Sequence, residues 1–286
     1  MKLLRSLLYV PANKPRMIEK ATAGIPSDAI IFDLEDAVPQ NEKATARENL
    51  VALTGINWDP TIFVRVNSVT SEFFADDMKA LSAIQPGGIV LPKADEDAVR
   101  HTCAKLDELG NPTIQSMGKI QLIPLIESAL AVETVMNIIE ASPRVIGAQL
   151  GAEDLTCDLG ICFSGQPDQL GYARHRVVYG CHACGVPSYD TPFRDFHDQK
   201  TLAAECQLAK NIGFTGKTCI HPTQLETVNS SFTPTPTELE AAKRIVTAAD
   251  QAKFTDSGVF SIDGEMIDRP VVERARAVLK LAEHQR

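Results

Sequence analysis

SDAIIFDLED, residues 27–36, sets an unbroken apolar run, AIIF, directly in front of Asp33, Glu35 and Asp36. Such a run suits a strand buried on both faces, as in a parallel sheet covered by helices. The construction recurs on the C-terminal side. IFV precedes Arg65 in TIFVRVN (61–67), and GIVLP precedes Lys93 in GGIVLPKA (87–94). QLIPLI runs into Glu127 in KIQLIPLIES (119–128), and VIGAQLG precedes Glu153 and Asp154 in RVIGAQLGAEDL (144–155). Helix-like stretches separate these runs. Strands that each deliver a polar group at the C-terminal end build the mouth of a (β/α)8 barrel.

Working outward, RSLLYVP (5–11) reads as the first strand and NKPRMIEKATAG (13–24) as its helix, with Pro in the first turn and Gly after the end. Helices are expected over 41–53, 71–84, 95–110, 129–142, 168–184 and 197–213, with strand seven at 186–190 and strand eight at 214–222. The 286-residue length fits one barrel of about 250 residues plus an appendage. FTPTPTE (232–238) reads as a linker, so the barrel is assigned to 1–230 and a C-terminal lid and oligomerisation segment to 231–286. That segment reads as helix 237–252, a hairpin within GVFSIDGEMIDRP (258–270), and helix 270–284. It is too small to bury much core by itself.

The net charge of −9 argues against a nucleic-acid surface, which needs a basic stripe. No run approaches the ~20 apolar residues of a membrane span. The N-terminus is interrupted at once by Pro11, Lys14 and Arg16, unlike a signal peptide, so a cytoplasmic protein is expected. Seven Cys, an odd number, suggest reduced thiols. Cys181 and Cys184 form a C-x-x-C without a second ligand pair, and read as small residues of a packed helix.

The acid-rich set with one Arg suits a divalent cation holding a small oxyacid. Glu127 and Asp154 end adjacent strands and are the candidate metal ligands; Mg2+ takes one or two protein carboxylates and fills its octahedron with water and substrate oxygens. Helix capping explains each acid singly, but not why acids gather at one end. Glu35 and Asp36 are read as groups that fix metal-bound water, with a solvated loop as the alternative for Asp36. Arg65, between Val64 and Val66, needs an anion: a substrate carboxylate gripped bidentately, or a structural ion pair with a nearby acid. Asn13, Lys14 and Arg16 open the first helix and suit a phosphate or pyrophosphate. Lys93 reads as an anion contact or ion pair. Gly213, Gly216 and Lys217 lack P-loop spacing. Among the His, His221 ends strand eight and could line the mouth, and none has a nucleophile placed beside it. Asp268 follows the hairpin, where a closing element could bring a carboxylate into a dry pocket; Asp263 and Glu265 are equally available.

RSLLYVPANKPRMIEKA, IIFDLEDAV, FVRVN, GGIVLPK, PLIESALAV, GAEDLT, GFTGKTCIHPTQL and GEMIDRP, in this order along the whole chain, resemble the citrate lyase β-subunit-like branch of the HpcH/HpaI aldolase superfamily. The resemblance implies a Mg2+-dependent barrel (Mn2+ as a substitute), a homotrimer or hexamer, acting on a 2-oxoacid and a coenzyme A thioester. It implies Glu127 and Asp154 as metal ligands and Arg65 as the grip on the oxoacid carboxylate. It implies Asp268 as acid/base across a subunit boundary, and a coenzyme A site at Asn13 to Arg16 and near the IHP segment with His221. His221 tilts the expectation toward stand-alone citramalyl-CoA or malyl-CoA lyases yielding acetyl-CoA and pyruvate or glyoxylate. The alternatives are a citrate lyase β-subunit working on a carrier-bound thioester, a class II 2-oxoacid aldolase without coenzyme A, and a non-catalytic barrel.

Overall fold

The structure, a computed structural model, describes residues 4–55, 61–109, 120–164, 169–251, 259–262 and 264–284. Eight parallel strands close into a barrel in sequence order. They are β1 (Ser6–Pro11), β2 (Ala29–Asp33), β3 (Thr61–Arg65), β4 (Gly88–Leu91), β5 (Gln121–Ile126), β6 (Ala148–Leu150), β7 (Ser188–Asp190) and β8 (Gly216–Cys219). The helices that follow them are α1 (Pro15–Thr22), α2 (Lys43–Val51), α3 (Phe74–Ile84), α4 (Glu96–Leu109), α5 (Ala129–Glu133), α6 (Val135–Glu140), α7 (Ala152–Asp158), α8 (Gly171–Ala183), α9 (Gln199–Ile212) and α10 (Leu225–Phe232). This is a TIM barrel. Among the described residues no helix is long and apolar enough to cross a membrane.

The chain divides into two compact units, Leu4–Asn229 and a smaller one built from Ser230–Arg286. The second holds α11 (Pro236–Gln251), the antiparallel pair β9 (Phe260–Ile262) and β10 (Glu265–Ile267), and α12 (Arg269–His284). Ala249, Ile267 and Val272 form its own small core. Gly264 turns the hairpin at a positive φ of 87°, a conformation that Gly adopts without steric cost.

Two expectations change for local reasons. The helix expected over 129–142 is broken into α5 and α6 at Thr134 (φ −107°, ψ 19°), whose hydroxyl bonds back to the Leu130 carbonyl at 2.8 Å. Strand eight stops at Cys219, short of 222, because His221 and Gln224 close a capping box on the 3₁₀ turn Pro222–Gln224.

Strand periodicity sets the mouth. Leu7, Ile31, Phe63 and Leu125 all lie in the central core cluster inside the barrel. Side chains two residues apart share a face. The next inward positions are therefore Tyr9, Asp33, Arg65 and Glu127, one layer higher. The apolar layer below is what makes the charged layer above lie at the open end.

Candidate active site

Tyr9, Asp33, Asp36, Arg65, Glu127 and Asp154 line one cavity of about 410 Å³, with Gln149 and Gly151. Register explains its strongest contact. Asp33 and Arg65 are direct partners in the β2–β3 ladder. The guanidinium reaches back across that step, Nε to Asp33 Oδ1 at 2.8 Å and Nη2 to Oδ2 at 2.6 Å. Its remaining arm, Nη1, lies 3.0 Å from Glu35 Oε2 and 3.1 Å from Asp36 Oδ2. Arg65 thus faces three carboxylates and rests over the Tyr9 ring at 5.0 Å. The Tyr9 hydroxyl donates to Gln149 Oε1 at 3.0 Å.

Glu127 stands opposite. The Lys93 backbone N–H donates to its Oε1 at 2.5 Å, from a residue held at a positive φ of 48°. A non-Gly residue there is uncommon, and its strain is offset by this bond to a carboxylate. Gly151 leaves the room that the other carboxylate oxygen occupies: a Cβ at 151 would come within 2.7 Å of Glu127 Oε2. Asp154 sits in the first turn of α7, half-exposed, 3.7 Å from the Lys93 ammonium.

Burial and crowding shape the protonation of these acids. Desolvation first, then Asp36, Glu127 and Asp33, push the Glu35 carboxyl up to about 8 against the pull of Arg65. Desolvation also lifts Glu127 to about 7, opposed by the Lys93 N–H and reinforced by Asp154. Apart from Glu153, which lines the cavity but pairs with Arg194 at 3.0 Å, five carboxylates (Asp33, Glu35, Asp36, Glu127, Asp154) face two cations, Arg65 and Lys93. A buried anion without a partner is costly, and a divalent cation at Glu127 and Asp154 would relieve the surplus. Among the described residues no three His, Cys, Asp or Glu side chains converge into a ready cage. A pair of carboxylates fits Mg2+ nonetheless, because that ion keeps several waters and seldom takes an all-protein shell.

The other expected residues lie elsewhere. Asn13 is buried at the start of α1 with Nδ2 donating to Glu42 Oε2 at 2.5 Å, and among the described residues its Oδ1 has no hydrogen-bond partner. Lys14 is 3.7 Å from the same Glu42, and Arg16 is exposed. None of the three lines the cavity. His221 does not line it either, although Ile220 does; its ring stacks on Phe196 at 4.4 Å and its Nδ1 accepts from the Thr223 N–H. Asp268, in the second unit, accepts from the Val271 N–H at 3.1 Å and so caps α12. Glu265 is exposed in β10, and Asp263 lies outside the described residues. Tyr9, Gln149 and Gly151 are mouth residues that the reading by charge overlooked. For Tyr9 the signal was present, two positions beyond the inward Leu7.

Comparison with known proteins bears on the family and the fold. The family described as HpcH/HpaI aldolase/citrate lyase matches residues 5–222, and one described as C-C bond lyase of the TIM-barrel fold matches residues 173–284. The citrate lyase subunit beta of Leuconostoc mesenteroides subsp. cremoris is 37% identical, over 98% of this chain and 94% of its own. A (3S)-malyl-CoA thioesterase of Cereibacter sphaeroides is 34% identical over 98% and 94%. The crystal structure of CitE from Mycobacterium tuberculosis, in complex with magnesium, acetoacetate and coenzyme A, superposes with a TM-score of 0.81 at 29% identity, over 99% and 100% of the two chains.

Proposed function

This chain belongs to the HpcH/HpaI aldolase/citrate lyase family, and from that premise we propose that it is a Mg2+-dependent oxo-acid lyase that cleaves citramalyl-CoA or malyl-CoA to acetyl-CoA and pyruvate or glyoxylate. The observation that carries the reading is the surplus of acid around one anion-binding guanidinium: five carboxylates against Arg65 and Lys93 in one barrel mouth. Such a site needs a cation before it can admit an acid. Glu127 and Asp154 would hold Mg2+, and Gly151 keeps the space that the Glu127 carboxylate requires. When bound, the ion supplies positive charge for the substrate oxygen that turns from hydroxyl to keto.

The chain's own groups do the rest. Arg65 grips the substrate carboxylate; the partner it gives up is Asp36, the exposed one of its three acids. Asp33 keeps the guanidinium in plane through its two bonds. The hydroxyl yields its proton to a carboxylate of the mouth, and its electron pair forms the carbonyl. The carbon–carbon bond breaks, its electrons passing to the thioester α-carbon. Asp268 delivers a proton there, acting across a subunit boundary in a trimer or hexamer; in the reverse direction it removes a methyl proton from acetyl-CoA. Asn13, Lys14, Arg16 and His221 take the coenzyme A portion.

A second reading draws on the 37% identity to the Leuconostoc subunit: a citrate lyase β-subunit that works on a carrier-bound citryl thioester. One experiment separates the two. The purified chain, alone with Mg2+, is offered citramalyl-CoA and malyl-CoA, and acetyl-CoA release is followed by mass. Turnover that EDTA abolishes and Mg2+ or Mn2+ restores supports the proposal. Absence of turnover on free coenzyme A thioesters, with citryl cleavage once carrier protein is added, would transfer the chain to the second reading.

A further inference from the structure

The loop that carries Glu35 and Asp36 is fastened from underneath by a residue outside the cavity. Lys43 is 6% exposed at the first position of α2. A cation there gains nothing from the helix, whose N-terminal end is itself positive. Its ammonium donates three bonds of 2.7 Å each, to the Leu34 carbonyl, the Glu35 carbonyl and Asn67 Oδ1. Three donors and no acceptor is the complete inventory of a protonated lysine, and a neutral amine could not make all three. None of the three acceptors is a carboxylate, so this is no ordinary ion pair. Burial draws the ammonium down, against the pull of Asp33, Asp77, Glu35 and Asp36. Phe73 lies beneath it, its ring centroid 5.7 Å from Nζ.

The acceptors are themselves anchored. Asn67 donates to the Leu34 carbonyl at 3.0 Å, and its side chain and backbone N–H both reach Asp77 Oδ2, at 2.6 and 2.8 Å. Asp77 is wholly buried and receives Arg47 at 3.0 Å on its other oxygen. The chain of bonds therefore runs from α3 through Asn67 and Lys43 to the two carbonyls that precede Asp36. On the upper side, Asp33 accepts from the Glu35 and Ala37 N–H groups at 2.8 and 3.1 Å. Residues 34–37 are clamped between Asp33 above and Lys43 below.

We propose that Lys43 is a positioning residue for the reaction: its ammonium holds the Leu34 and Glu35 carbonyls so that Glu35 and Asp36 meet Arg65, and without it the acid loop loses the geometry in which Arg65 receives the substrate carboxylate. The assignment of Arg65 rests on the proposed function; the fastening of the loop does not.

The test uses Lys43→Met, which keeps the stem and removes the donors, and Lys43→Ala with and without n-propylammonium. Two readouts are taken with the full chain: steady-state lyase kinetics, and hydrogen exchange of the peptide covering residues 33–38. For folded Lys43→Met, kcat is expected to fall about 10–100-fold, the order of loss when a substrate-orienting group is misplaced by about 1 Å. Exchange at residues 35–38 is expected to accelerate about tenfold while the barrel strands stay protected. Propylammonium, but not propanol, should recover part of the activity of Lys43→Ala. Wild-type exchange at 35–38, or wild-type kcat in a folded Lys43→Met, would overturn the proposal. If neither Lys43 variant folds, Asn67→Ser removes one acceptor of the same clamp, and unchanged exchange there would overturn it equally. If the wild-type chain turns over no thioester, the proposed function fails, and the exchange measurement still decides the role of Lys43.

Discussion

Two clusters of charge occupy this barrel, and they are built on opposite terms. Outside the strands, between β7, β8, α8 and α9, Asp190 and Glu205 meet Arg174 and Lys217. Lys217 reaches both acids at 2.7 Å, and Arg174 reaches them at 3.2 and 3.0 Å. Two anions and two cations balance, and Asp190 and Lys217 are fully buried. At the mouth, five carboxylates face Arg65 and Lys93, and even Lys43 beneath the loop leaves the acids in surplus. A balanced set is complete as it stands, whereas an unbalanced one is complete only with a ligand. The difference supports the mouth as the proposed working site and the quartet as a brace, although both consist of the same residue types.

The comparison breaks if the two clusters respond alike to loss of one charge. At the mouth, Glu127→Gln removes one of the two proposed metal ligands and leaves the shape unchanged. Lewis-acid assistance is worth several kcal/mol, which at about 1.4 kcal/mol per tenfold is on the order of a thousandfold or more in kcat. Because the substitution also removes a repelled charge, the Mg2+-free variant should unfold at the same urea concentration as wild type or a higher one. Lost stability without lost activity would refute the assignment.

In the quartet the pattern reverses. Lys217→Met leaves Asp190 and Glu205 sharing Arg174 alone, and breaking a buried charge set in this way costs about 3–5 kcal/mol. The urea midpoint should drop accordingly, while kcat of the folded fraction stays within about threefold of wild type, since no member of the quartet lines the cavity. A stability loss under about 1 kcal/mol would mean that the quartet is not the closed unit its distances suggest.

The sequence reveals one of these clusters far better than the other. Apolar runs ending on charge announce β2 to β6: strand periodicity carries Asp33, Arg65 and Glu127 into the mouth, whereas Asp154 reaches it from the first turn of α7, beyond the end of β6. The quartet is illegible: Lys217 reads only as a lysine without P-loop spacing, and Arg174 lies in a helix-like stretch whose most conspicuous residues are its cysteines. Its members come from two strands and two helices, and nothing local marks a charge that will be buried by tertiary packing. Lys43 was invisible for the same reason, since its acceptors are mostly backbone carbonyls. Asn13 shows a further limit. A polar residue at a helix start reads the same in sequence whether its side chain is free or engaged, and its burial against Glu42 shows only in the structure.

The smallest expected effect separates the clusters by pH. Burial and crowding raise Glu35 to about 8 and Glu127 to about 7, from an ordinary Glu value of 4.5. Between pH 4.5 and those values the folded chain holds more protons than the unfolded chain, so without Mg2+ its stability falls as pH rises through this window. The quartet has the opposite sign at its edges. Burial pushes Asp190 up, but Lys217 and Arg174 together hold it below the ordinary Asp range; burial draws Lys217 down, but Asp190 and Glu205 hold it above the ordinary Lys range. Those contributions are therefore lost only well below or well above the window, and within it they are flat. From pH 6 to pH 7 the Mg2+-free wild type should lose about 2 kcal/mol more unfolding free energy than the Glu35→Gln/Glu127→Gln double variant. Mg2+ held at Glu127 as proposed has to displace its proton, so the affinity for the ion should climb by up to about tenfold per pH unit over the same range. Urea titrations at each pH, with and without Mg2+, measure both. A wild-type stability curve parallel to that of the double variant would show that the mouth carries no unrelieved charge, and with it the reason for a cation there would vanish.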